Sequence, residues 1–343
     1  VRLRDNSPCE QKETRAQRRC NGPGGERRTH SHTSAVCPNT SFSFTNLTVA
    51  PALRGKRISQ GNMSSSTFVD MMLMRPPMPE GFLWTEGITP LADVRVVAAT
   101  VVGYVGGVLA LKRAMGTSKF TSLGPLPTIH NLVLCVWSLV MFVGTALAAA
   151  RETASAGRGG VARWMLCFDP GTPPTGELFY WSYVYYVSKF YELLDTVLLV
   201  LKGRPLTFLH VFHHAFVLVM CYLWLQHSQS LQHIGLLANT GVHVVMYFYY
   251  FLTTLGIRPS WKVLVTNGQM VQFMFSFAVS VPFVWMHMAS VREGGGGCAG
   301  FEAWCFNAAF NAALLLLFAN FHLSTYGKEK TAGQRAGKRT KRA

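Results

Sequence analysis

Between Lys189 and His214 the chain reads K-F-Y-E-L-L-D-T-V-L-L-V-L-K-G-R-P-L-T-F-L-H-V-F-H-H. His210, His213 and His214 stand at i, i+3 and i+4, so on a helix their imidazoles share one face, with His210 and His214 one turn apart. The flanking residues are apolar enough to enter a lipid bilayer, where ionisable side chains are expensive and mark function. A fourth histidine, His243, lies in the next apolar stretch, N-T-G-V-H-V-V-M-Y-F-Y-Y, where Asn239, His243 and Tyr247 recur at four-residue steps. Two such faces opposed across a helix pair would enclose a polar pocket.

Two chemistries use histidine clusters of this kind. A di-iron site of the membrane desaturase or hydroxylase type needs about eight imidazoles in several boxes. This chain offers one H-x-x-H-H box and one strong extra histidine, with His130, His227, His233, His287 and His322 scattered singly. The ligand count falls short, and no metal is expected. The second chemistry is metal-free, with an imidazole acting as nucleophile or general base and neighbours setting its tautomer. Cys221, seven residues after His214, is a weaker candidate nucleophile because no partner for it is evident. Lys189, Glu192 and either Asp195 or Thr196 fall along one side of the preceding helix. They form either an internal ion pair without catalytic role or a site in which Lys189 meets a phosphate while Glu192 or Asp195 orients a histidine.

These residues must be held by membrane helices. Only 14% of residues are charged, and seven apolar runs are long enough to span a bilayer at about 20 residues each. They fall near 92–111, 129–149, 178–201, 207–225, 233–254, 263–286 and 304–325. The expected fold is an all-α polytopic membrane protein with seven transmembrane helices, the six after the first lining a substrate tunnel with Phe, Leu, Val and Met. Lys112, Arg113, Lys119, Lys202, Arg204, Arg258 and Lys262 fall in one set of connections and more basic residues follow Gly327. The opposite connections contain only Arg151, Arg158, Arg163 and Arg292. The positive-inside rule makes the basic side and the C-terminus cytosolic. Cys167 and Cys298 then share the opposite, lumenal side, where an oxidising compartment allows a disulfide between them. A seven-helix transporter or receptor is also compatible with the span count, although it leaves the histidine triplet without a purpose.

The formal charge of +16 sits largely in the two tails, which argues against a nucleic-acid partner. Residues 1–90 are rich in Arg, Ser, Thr, Pro and Gly, without a sustained apolar period, and are expected to be a disordered basic extension. Met63 is the first methionine available, so residues 1–62 are expected to be a translated leader or part of an incomplete gene assignment. That segment carries sequons at Asn39 and Asn46, and Cys9, Cys20 and Cys37 at spacings that match no metal site. Residues 91–326 form the expected membrane domain and 327–343 a basic cytosolic tail.

Four blocks in order, S-K-F-Y-E-L-L-D-T, L-T-F-L-H-V-F-H-H, N-T-G-V-H-V-V-M-Y-F-Y-Y and V-T-N-G-Q-M-V-Q-F, resemble the ELO family of very-long-chain fatty acid elongases across about residues 91–330. The resemblance implies a very-long-chain 3-oxoacyl-CoA synthase of the endoplasmic reticulum membrane. It would condense acyl-CoA with malonyl-CoA to 3-oxoacyl-CoA, carbon dioxide and CoA, with no bound cofactor. By position, His213 would carry the acyl group as an acyl-imidazole, with His210, His214 and His243 completing the site. Asn239, Gln269 and Gln272 would donate hydrogen bonds, while Lys189 and Tyr249 would contact CoA near the cytosolic entrance, where Arg204 adds charge. The ketoacyl reductase, dehydratase and enoyl reductase of the cycle, and a second copy of the chain, are the implied partners besides membrane lipid. The run R-P-L-T-F before the box is closer to members acting on saturated or monounsaturated chains, and the terminal R-T-K-R-A resembles a dilysine retrieval signal.

Overall fold

The computed structural model describes residues 81–120, 122–155 and 157–340. Cys9, Cys20, Cys37, Asn39, Asn46, Met63 and Lys341, with the expectations attached to them, lie outside the described residues. Among the described residues there are nine helices: α1 Val94–Met115, α2 Leu126–Ser155, α3 Gly157–Leu166, α4 Glu177–Glu192, α5 Leu194–Leu201, α6 Phe208–Gln226, α7 Gln232–Thr254, α8 Lys262–Arg292 and α9 Phe301–Thr340. Six of them, α1, α2, α6, α7, α8 and the Phe301–Leu323 part of α9, are long and apolar enough to cross a membrane.

The third expected span, 178–201, is divided. Around Leu193 the ladder tightens to bonds of i→i−3 type, Leu193 N to Phe190 O and Thr196 N to Leu193 O, which ends α4 and starts α5. The two pieces together run from Glu177 to Leu201, about 37 Å if laid end to end as ideal helix. Short α3 falls in a connection that has no long apolar run to announce it. Helix α9 continues past the expected boundary at Gly327, as far as Thr340.

Helices α2, α7, α8, α9, α6 and α4 pack in that order, and α4 returns to α2, so the six make a closed ring. Helix α1 stays outside it, against α5 and α6. The closest pairing is α2 with α7, and close approach elsewhere also depends on small residues: a Cβ on Gly144 of α2 would stand 2.2 Å from the Trp181 ring of α4. Asp93 caps α1 by accepting from Arg95 N. Thr207 caps α6 by accepting from His210 N, so the chain that enters the histidine helix is fixed at its first turn.

One end of the ring carries the connections with Lys202, Arg204 and Lys262. At the other, Cys167 and Cys298 are joined in a disulfide with their Cα atoms 4.9 Å apart. The residues that follow the two cysteines are sewn to the α6–α7 turn, since Phe168 N donates to Ser230 Oγ and Ser230 Oγ donates to Ala299 O. Residues 81–90, assigned on composition to the disordered extension, instead pack as ordered turns at this end. Trp84 is 4% exposed, its Nε1 donates to Gln226 Oε1, and its backbone pairs with Pro174. The correction has a physical reason: Phe82 and Trp84 bring apolar area that the polar stretch before them lacks.

Candidate active site

Thr207 starts α6 so that His210, His213 and His214 turn inward together. His210 and His214 have ring centroids 4.5 Å apart, and His213 and His214 5.4 Å. Thr196 Oγ1 of α5 lies 2.8 Å from His210 Nε2 and 2.8 Å from Tyr104 OH, so a helix outside the ring helps to fix the first histidine. His213 packs against Phe310 of α9, and its Nδ1 is buried without a hydrogen-bond partner. The Nδ1 atom of His214 is unpartnered in the same way.

Helix α7 supplies the facing wall. His243 Nδ1 stands 3.9 Å from Glu192 Oε1, and Glu192 in turn accepts from Lys189 Nζ at 2.8 Å. Tyr185 OH donates to Asn239 Oδ1 at 2.7 Å, which leaves the Asn239 amide N–H groups available. Asp195 turns away from the box. Its two oxygens take His130 Nε2 of α2 and Tyr247 OH of α7, each at 2.7 Å, while His130 Nδ1 lies 3.3 Å from Tyr191 OH.

A cavity of about 670 Å³ opens between these walls. It is lined by His210, His213, His214, His243, Glu192, Asp195, Asn239, Gln269, Gln272, Tyr249 and Arg204, so these eleven expected site residues do converge on one space. Lys202, Arg204 and Lys262 stand at its basic end, where burial and the adjacent Arg204 charge push the Lys202 ammonium below its ordinary pKa. Lys189 is placed differently: it is 1% exposed, lies 4.0 Å over the Tyr185 ring and bonds Glu192, away from the cavity wall. Cys221 is also buried and lines neither cavity.

A second, narrow cavity of about 50 Å³ continues toward the disulfide end. Val217, Met220, Phe273 and Leu314 supply much of its wall. The two cavities share His213, Asn239, Gln272 and Phe273, so His213 stands at the neck between them. Among the described residues no group of three or more His, Cys, Asp or Glu has the spacing to hold a metal ion.

Three contributors escaped the sequence reading. His130 was set aside as a scattered histidine, although an ionisable group inside an apolar span was the signal that should have kept it. Thr196 was left as an alternative to Asp195, and the structure uses both, on different sides of α5. Tyr104 lies in the one span outside the ring and gave no signal at all.

The profile of the ELO family, described as the GNS1/SUR4 family, matches residues 89–334. A putative fatty acid elongase of Dictyostelium discoideum is 32% identical over 74% of this chain and 83% of its own length. The fatty acid elongase sre1 of the same organism is 35% identical over 71% of this chain and 88% of its own. A fatty acid elongase 3-like protein of Arabidopsis thaliana is 34% identical over 63% and 75%. The ring of membrane helices, the histidine box at the neck of its cavity and these similarities together place the chain in the ELO (GNS1/SUR4) family of fatty acid elongases.

Proposed function

We propose that the chain condenses a long-chain acyl-CoA with malonyl-CoA, giving 3-oxoacyl-CoA, carbon dioxide and CoA, with the acyl group held in between on His213. The observation that carries this reading is the position of His213, at the junction of a broad cavity with a basic mouth and a narrow cavity with a largely apolar wall. A CoA nucleotide suits the first and a hydrocarbon chain the second. Lys202, Arg204 and Lys262 would meet the phosphates, a role that the burial of Lys189 takes from that residue. Lys189 instead compensates the Glu192 charge beside His243.

In the first stage an imidazole nitrogen of His213 attacks the thioester carbonyl. The carbon–sulfur bond breaks, and the thiolate leaves with the imidazole proton as CoA. In the second stage malonyl-CoA loses carbon dioxide, and its carbanion attacks the acyl carbon. The carbon–nitrogen bond breaks, and the imidazole regains a proton from water, so that one proton is consumed overall. Asn239 and Gln272 at the neck are suited to donate to the carbonyl oxygen as charge develops on it. The closed ring of helices would protect the acyl-imidazole from hydrolysis. Accompanying this reading are seven crossings, with α4 and α5 making the third, and an endoplasmic reticulum location with the basic end and C-terminus cytosolic. The 3-oxo product then needs reduction, dehydration and a second reduction by other enzymes.

Purified protein incubated with acyl-CoA alone should gain the mass of one acyl group, mapped to His213, and malonyl-CoA should discharge it with release of carbon dioxide. His213→Ala should gain none. Absence of carbon dioxide across a range of chain lengths sinks the condensation, and an adduct on another residue sinks the assignment to His213.

A further inference from the structure

The narrow cavity contains polar groups that a plain hydrocarbon chain leaves unsatisfied. Asn307 of α9 is 7% exposed and lines it, and its Oδ1 has no hydrogen-bond partner. Trp224 of α6 is 3% exposed and also lines it, and its Nε1 has none either. An acceptor on α9 and a donor on α6 are thus both open to the cavity. Their neighbours show that pairing is the local habit: Asn311 Nδ2 donates to Ser276 Oγ and Trp304 Nε1 to Ser280 Oγ, each at 2.9 Å. Burying an amide oxygen or an indole N–H without a partner is unfavourable, so an occupant that completes either gains over one that completes neither.

The depth of the two groups narrows what that occupant is. His213, Val217, Met220 and Trp224 lie on one face of α6, and the rise per residue puts Trp224 about 16 Å beyond His213. Asn307 lies one turn of α9, about 4.5 Å, toward the disulfide end from Phe310, the residue that packs on His213. Both groups therefore lie along the path of the chain beyond the carbonyl and short of its far end. A hydroxyl both donates and accepts, and so fits either orientation of the Asn307 amide as well as the indole N–H.

We propose that the acyl slot selects chains carrying a hydroxyl group part-way along their length, with Asn307 and Trp224 as the specificity-determining residues. This deepens the condensation reading and rests on it for the identity of the slot. A site built to hydrogen-bond a substrate hydroxyl discriminates against the analogue that lacks it, because its own groups are then left unpaired.

The test compares octadecanoyl-CoA with hydroxyoctadecanoyl-CoAs whose hydroxyl is stepped along the chain, reading kcat/KM from carbon dioxide release and, in parallel, the Tm shift each ligand gives the purified protein. An internal hydroxyl position should be preferred about tenfold over the unsubstituted chain. Asn307→Leu should bring the ratio toward one for a hydroxyl nearer the carbonyl, and Trp224→Phe for a hydroxyl placed deeper. The proposal is overturned if no position is preferred in the unmodified protein, as when a resident water already serves both groups, or if both variants keep the ratio. Loss of carbon dioxide release with every chain counts against the condensation instead, and the Tm ranking still decides whether the slot prefers the hydroxyl.

Discussion

Asp195 and Thr196 are consecutive, so their side chains leave α5 about 100° apart. One faces His130 and Tyr247, the other His210 and Tyr104. A single turn of helix thus serves two walls of the cavity, and the sequence reading, which sought one carboxylate beside one histidine, had no means of seeing it. On the proposed mechanism Thr196 would act through His210 as a positioning residue. Replacing it with Val keeps the shape but deprives both His210 Nε2 and Tyr104 OH of a partner, and small misplacements at a reacting centre are costly. We expect Thr196→Val to lower kcat about 10- to 100-fold with little change in KM, and Thr196→Ser, which keeps the hydroxyl, to recover most of it. Steady-state kinetics showing an unimpaired Val variant would remove Thr196 from the site. His130→Ala takes one of two donors from Asp195 and leaves a half-satisfied carboxylate in the cavity wall. A loss of stability of about 1–3 kcal/mol is expected, read as a lower Tm in detergent, and His130→Gln should restore part of it by offering an amide donor.

At the scale of elements, hydropathy and the period of the histidines were enough to locate six long helices and the helix pair that holds the box. Periodicity could not locate the break at Leu193. No Pro or Gly marks it, and only the local change in backbone bonding divides α4 from α5. Residues 81–90 were missed because their order comes from packing of Trp84 against Tyr186 and Tyr222, residues distant in sequence. The pairing of Cys167 with Cys298, by contrast, could be inferred from topology alone, since helix alternation leaves both on one side. Gly144 shows how α2 and α4 are held. Its missing Cβ is occupied by the Trp181 ring, and a ring packed between helices has little room to shift. We expect Gly144→Ala to cost about 1–3 kcal/mol through overpacking, seen as a lower Tm, and Trp181→Leu in the same chain to relieve part of it. An unchanged Tm for the single variant would mean that α4 moves away from α2 without penalty.

At the scale of the whole molecule, the ring has one basic end and one end closed by a disulfide and by the turn that Ser230 ties to it. That polarity gives the cavity a direction. On the proposed reading, a charged substrate would enter where Lys202, Arg204 and Lys262 gather, and the apolar part of the same molecule would lie toward the disulfide end. Burial and, after it, repulsion from Arg204 lower the pKa of Lys202, and an anion bound between the two side chains would relieve the repulsion. The contribution is electrostatic and partly exposed to solvent, so it is screened by salt. Lys202→Gln with Arg204→Gln should therefore raise KM for acyl-CoA several-fold at low ionic strength and much less at high ionic strength, while kcat changes little. A charge-reversed pair, Lys202→Glu with Arg204→Glu, should raise KM further and show the same salt dependence, because like charges then oppose the phosphates. If the Gln pair lowers kcat and leaves KM and its salt dependence unchanged, the basic end has some other purpose, and the direction assigned to the cavity falls with it.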